Sequence, residues 1–132
     1  MGVINAQVSE DSGGLVISGV ACDPSVYIGS AVRMDATGTA FNAIATGLTT
    51  SNVIGIVESK QTSTNCTIRV SGTTIDIFTG LDVTKEYYLS DTIAGAITTT
   101  IPSLPTRIML KLGQPFSDKS FLFMKGNRVE RV

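Results

Sequence analysis

The sequence predicts an all-β fold: a single compact antiparallel β-sandwich or β-barrel domain with short, extended terminal arms. Three observations carry this. Val, Ile and Thr are abundant, while Leu, Glu and Lys are sparse for a helical protein. No window of about eleven residues or more keeps a helical period of apolar positions. Turn signals recur at intervals of roughly 8 to 12 residues, the spacing of short strands in sandwiches and barrels. The 132 residues suit one domain, with residues 1–13 as an N-terminal arm, 14–126 as the β-domain and 127–132 as a charged C-terminal tail.

Each element follows from its local pattern. "LVISGVA" (15–21) and "VYIG" (26–29) read as short strands around the turn "CDPS". In "AVRMD" (31–35) Val32 and Met34 alternate with Arg33 and Asp35, and "ATG" turns the chain into "TAFNAIA" (39–45). That hairpin needs positive φ at Gly38. "TGLTTSN" (46–52) is a loop or at most one helical turn, and "VIGIVESK" (53–60) is apolar on both faces, as a central strand should be. "QTSTN" turns into "CTIRVSG" (66–72), and "TIDIFTG" (74–80) follows as a strand with Ile75 and Ile77 on one face.

After the turn "LDVTK", Tyr87 and Leu89 face one way, with Tyr88 and Ser90 opposite. "DTIAG" reverses the chain, with Gly95 ending the turn. "AITTTI" then returns with Ile97 and Ile101 on one face and Thr98 and Thr100 on the wet one. Two prolines stiffen "PSLP" (102–105). In "RIMLKLG" (107–113) Ile108, Leu110 and Leu112 alternate with Arg107, Met109 and Lys111, and "FLFMKG" (121–126) is the last strand.

Composition narrows the functional classes. Ten basic and eleven acidic residues give a net charge of −1, so nothing predicts binding to nucleic acid or to an anionic membrane. The apolar runs are too short to span a bilayer, and the N-terminus has neither a secretory nor a myristoylation pattern, which predicts a soluble chain made in a cytoplasm. Charged residues are only 16% of the chain. Either other subunits cover part of the surface, or Thr and Ser solvate it in place of Lys and Glu.

Chemistry is sparsely represented. Histidine is absent, which excludes Ser–His and Cys–His nucleophile systems. Asp76 with Asp82, or Glu86 with Asp91, could form acidic pairs, but these positions flank turns where carboxylates are ordinary solvating groups. No phosphate-binding glycine pattern occurs. Cys22 and Cys66 make a poor metal site without histidine. Cys66 reads as a small buried thiol on the face of Ile68 and Val70, and a Cys22–Cys66 pairing stays open. The expectation is a non-enzymatic protein with no cofactor and no metal. Candidate interface residues are Tyr88, Phe121 and Phe123, the last two being core or interface, together with Arg128 and Arg131 of the tail.

Several phrases together resemble a module of tailed-phage virion proteins. A hairpin phrase is carried by Tyr87, Leu89, Ser90, Gly95, Ile97, Thr98, Thr99, Thr100 and Pro102. A strand-pair phrase follows on Leu110, Lys111, Leu112, Gly113, Pro115, Ser117, Leu122 and Lys125. Upstream, "VYIGSAVRMDATGTAFNAIA" is similar to the companion phrase before "SNVIGIVE", so the resemblance spans residues 26–126. It implies a virion structural protein, foremost a capsid decoration or cement protein. Such a protein would bind the major capsid protein or other virion subunits and form a homo-oligomer such as a trimer. The same resemblance is compatible with a tail, neck or fibre-attachment protein. A host-surface glycan-binding module, using an exposed tyrosine face or the loops at 46–52 and 60–65, is a further alternative.

Overall fold

In the computed structural model, residues 7–11 and 14–132 are described, and among them there is no helix. The strands are β1 (Gln7–Asp11), β2 (Gly14–Ala21), β3 (Ala31–Met34), β4 (Ala40–Asn42), β5 (Gly55–Thr62), β6 (Asn65–Thr73), β7 (Tyr87–Leu89), β8 (Ile97–Thr98), β9 (Ile108–Met109), β10 (Lys111–Pro115), β11 (Phe121–Phe123) and β12 (Val129–Glu130). The main sheet runs β4-β3-β5-β6-β11-β10-β7-β8, with β1 on β2 and β2 on β6, while β12 pairs with β9 alone. Every strand pairing is antiparallel, and the sheet curls into a half-barrel.

Strand β6 organises the curl. Ile68 is paired with both Ile17 and Val57, whereas Gly72 is paired with both Gly14 and Phe123. One edge of β6 is therefore followed by β2 throughout, and the other is taken first by β5 and then by β11. The sheet divides at this point, and its two wings converge again at Gly95. The Gly95 N–H donates to the Ala43 carbonyl at 2.7 Å, and the Gly95 carbonyl accepts from Ala31 N–H at 2.8 Å. Ala45 N–H donates to Ser90 O at 2.9 Å, and Ile108 N–H to Ala45 O at 3.0 Å, so the seam is a row of backbone bonds.

Alternation along β3 and β5 buries both faces. Ala31 and Ile56 join one core cluster with Leu89, Ile108, Leu110, Leu112, Phe121 and Phe123. Their neighbours Val32 and Val57 join a second with Val20, Cys22, Val26, Cys66 and Ile68. The doubly apolar run at 53–60 is thus the interior strand its pattern predicts. Gly38 and Gly95 have φ of 80° and 81°, as their turns require.

Several predicted elements differ. The "VYIG" run is a turn, because the Tyr27 N–H is taken by Ser30 Oγ and the Tyr27 carbonyl by Ser30 N–H, both at 2.9 Å. Residues 74–80 form no strand. Ile75 N–H is captured by the Glu58 carboxylate, and Ile77 N–H closes tightly onto Ile75 O, so the ladder breaks and Ile75 is 54% exposed. The returning hairpin arm shortens to Ile97–Thr98, since Thr98 Oγ1 takes the Thr100 N–H, and Ile101 is exposed. The run at 107–113 divides at Leu110 into β9 and β10, but its buried face is as predicted.

The terminal segments also fold back. Of the predicted arm, residues 7–11 pair with β2, and the rest lies outside the described residues. The tail pairs with β9 through Val129↔Met109 and Glu130↔Ile108.

Three turns share a device that a scan for Gly and Pro overlooks. Asp23, Asp35 and Asp82 each accept the backbone N–H and the hydroxyl of the residue two positions on, namely Ser25, Thr37 and Thr84. The hydroxyl bond is the foremost cause holding each carboxyl below the ordinary aspartate range. A depressed folded-state value stabilises the fold above the unfolded value of about 3.9, and that contribution is lost as pH falls through the lower folded value. The melting temperature should therefore hold on acidification until about pH 4 and fall below it. An Asp35→Asn, Asp82→Asn double variant should show a shallower fall in a pH series of thermal melts, and an identical acid limb would reject this origin.

Candidate interaction surface

The sequence-predicted interface residues separate into two groups. Phe121 and Phe123 are buried in the first core cluster, where Phe121 meets Tyr87 edge-on with centroids 5.9 Å apart and Phe78 at 6.1 Å. Of their two predicted placements the core is the one found, because β11 lies between β6 and β10 with its Phe side chains turned inward. They are corrected here as interface candidates. Tyr88, Arg128 and Arg131 do reach the surface. Tyr88 stands opposite Lys111, and its hydroxyl donates to Glu86 Oε1 at 3.3 Å, beside the Lys111–Glu86 ion pair at 2.6 Å. Lys111 is the main cause holding the Glu86 carboxyl below its ordinary range. The Arg128 guanidinium donates to the Leu48 carbonyl, and Arg131 is anchored by backbone bonds to Thr106 and Arg107.

The structure adds apolar side chains that the sequence reading did not single out. Ile93 is 63% exposed and Ile28 49%, and Tyr27, also exposed, donates its hydroxyl to Ala94 O at 3.4 Å. That bond links the 27–30 turn, which carries Tyr27, to the hairpin turn at 91–95, which carries Ile93. At the β10–β11 turn Phe116 is 75% exposed, and nearby Gln114 donates to the carbonyl of exposed Val83 at 3.1 Å. Leu48 and Val129 are exposed on either side of the Arg128 contact. A signal for Phe116 was present in "QPFSDKS", where an aromatic sits inside a polar turn with no apolar neighbour at strand spacing. The signal for Tyr27 and Ile28 was misread as a strand.

The carboxylates considered for acid–base work have separate partners. Asp76 accepts from Ser120 Oγ at 2.5 Å, Asp82 holds its own turn, Glu86 pairs with Lys111, and Asp91 lies 3.4 Å from Arg107. No group of three or more potential metal ligands occurs among the described residues. The 46–52 loop is a loop as predicted, whereas 60–65 is mostly strand around a turn at 63–64. No family model, no curated protein and no solved structure matches the chain.

Proposed function

We propose that this chain is a non-enzymatic virion structural protein of a tailed phage, foremost a decoration or cement protein that stabilises the capsid lattice through contacts between subunits. The observation that supports assembly is the exposure of Tyr27, Ile28, Ile93 and Phe116 in a chain with only 16% charged residues. Exposed apolar groups gain free energy when a neighbouring subunit covers them. The phage setting rests on the hairpin and strand-pair resemblance. Its partners are the major capsid protein or other virion subunits, and copies of itself in a symmetric oligomer.

Quantitative mass spectrometry of purified phage particles, scaled to the major capsid protein, tests this reading. Hundreds of copies per particle are expected. A copy number of six to a few tens, roughly what one ring requires, would move the protein to the tail or neck. Absence from the particle would overturn the virion reading. An Ile28→Asp, Ile93→Asp double variant should keep its melting temperature, since exposed substitutions cost within about 0.5 kcal/mol each, yet show lower occupancy on particles. Equal occupancy would remove this surface from the interface.

A further inference from the structure

Two cysteines distant in sequence meet in the second core cluster. Cys66 stands opposite Val20 in the β2–β6 ladder, and Cys22 is two residues beyond Val20 along the same chain. A separation of two keeps Cys22 on the Val20 face, so both thiols point into one cluster. The Cys22 N–H donates to Thr64 O at 3.0 Å, which holds the end of the pair in register. The Cys22 thiol faces Ser63 O at 3.9 Å, and the ladder sets Cys22 diagonally across from Cys66, one position past the Ala21↔Asn65 pair. Both residues are buried and both are free thiols. Cys22 lies just past β2 on an isolated bridge to Ala40, so its sulfur sits at the end of the ladder and not within it.

We propose that Cys22 and Cys66 are a latent crosslinking site, closed to an intramolecular disulfide by a small peroxide. One sulfur attacks a peroxide oxygen, giving a sulfenic acid and one water. The second sulfur then displaces the hydroxyl of that sulfenic acid, which leaves as water with the second thiol's proton. Two thiols and one hydrogen peroxide thus yield one disulfide and two waters. Burial is the main reason the Cys66 thiol is pushed up to about 12, with Cys22 beside it adding to the rise. Cys66 therefore stays protonated and slow to react unless local opening admits the oxidant. The bond joins the end of β2 to the start of β6 and encloses β3, β4 and β5, restricting the unfolded chain. Its use as a stabiliser outside the reducing cell rests on the virion reading, but the crosslinking site itself does not.

The test treats reduced full-length protein with hydrogen peroxide under native conditions, caps remaining thiols with N-ethylmaleimide, and maps the peptides by mass spectrometry. The expected product is a monomer with the Cys22 and Cys66 peptides joined. Its melting temperature should rise on the order of 10 °C and return on addition of dithiothreitol. A Cys22→Ser variant should show no such reversible rise. Two capped or over-oxidised thiols, or disulfides between chains, would overturn the proposal. A joined product with an unchanged melting temperature would overturn its stabilising role. Copy number in particles is a separate readout, so failure of the virion reading leaves the crosslink result standing.

Discussion

Arg69→Met is expected to lower folding stability by about 3–5 kcal/mol, the usual cost of removing one partner from a buried ion pair. The Arg69 side chain is 1% exposed and Glu58 6%. Arg69 Nε donates to Glu58 Oε2 at 2.8 Å and its terminal nitrogen to Oε1 at 3.2 Å, a two-point contact that fixes both groups. The same carboxylate accepts the Ile75 N–H at 3.1 Å, so it also anchors the 74–80 segment where the strand ladder fails. Without the guanidinium, a buried carboxylate keeps one backbone donor and little water. Urea titration of wild type and variant checks the size, and a loss below about 1 kcal/mol would mean that the pair is not desolvated as its burial indicates. An Arg69→Met, Glu58→Leu double variant should recover much of the loss, because apolar residues of similar volume commonly replace a buried pair at little cost.

Gly95→Val should be the most damaging single change in the turns, at about 2–4 kcal/mol. Positive φ in a β-branched residue costs on the order of 1–3 kcal/mol, and φ here is 81°. A Cβ at this position would also lie 2.5 Å from Asn42 Oδ1 and 3.1 Å from Ser30 Oγ. Moving the turn to relieve that overlap breaks the two backbone bonds that Gly95 contributes to the seam between the wings of the sheet. A control separates the two causes. Gly80 has φ of 71°, but nothing lies within 4 Å of its added Cβ. Gly80→Ala should therefore pay the conformational cost alone, and Gly95→Ala should melt clearly lower. Equal melting temperatures for the two alanine variants would show that closure at Asn42 contributes nothing.

The residues differ in how much of this was readable in advance. Alternation sufficed for Ile108, Leu110 and Leu112, for Tyr87 against Tyr88, and for the doubly apolar strand at 53–60, since a period of two reports directly which face is buried. The same rule failed for Ile75 and Ile77 and for Tyr27 and Ile28. β propensity describes a residue's fit to a pleated surface, not whether a partner strand is available. At 74–80 the backbone donors are claimed by a carboxylate from β5 and by a local turn, and at 27–30 by a serine hydroxyl. Of the interface candidates read from the sequence, Tyr88, Arg128 and Arg131 lie at the surface, whereas Tyr27, Ile28, Ile93 and Phe116 were not among them.

Local pattern therefore establishes the all-β class, the turns at Gly38 and Gly95, and most of the buried face, because these depend on side-chain period and on φ at single residues. It does not reach the division of β6 between β5 and β11, the seam at Gly95, the Arg69–Glu58 pair or the meeting of Cys22 with Cys66. Those contacts join residues far apart in the chain, and which of many apolar strands become neighbours is set by the packing of the whole sheet. The exposed apolar surface follows from the same packing: Ile93 and Phe116 are left outside because the turns that carry them close the sheet with backbone bonds and have no buried face to offer.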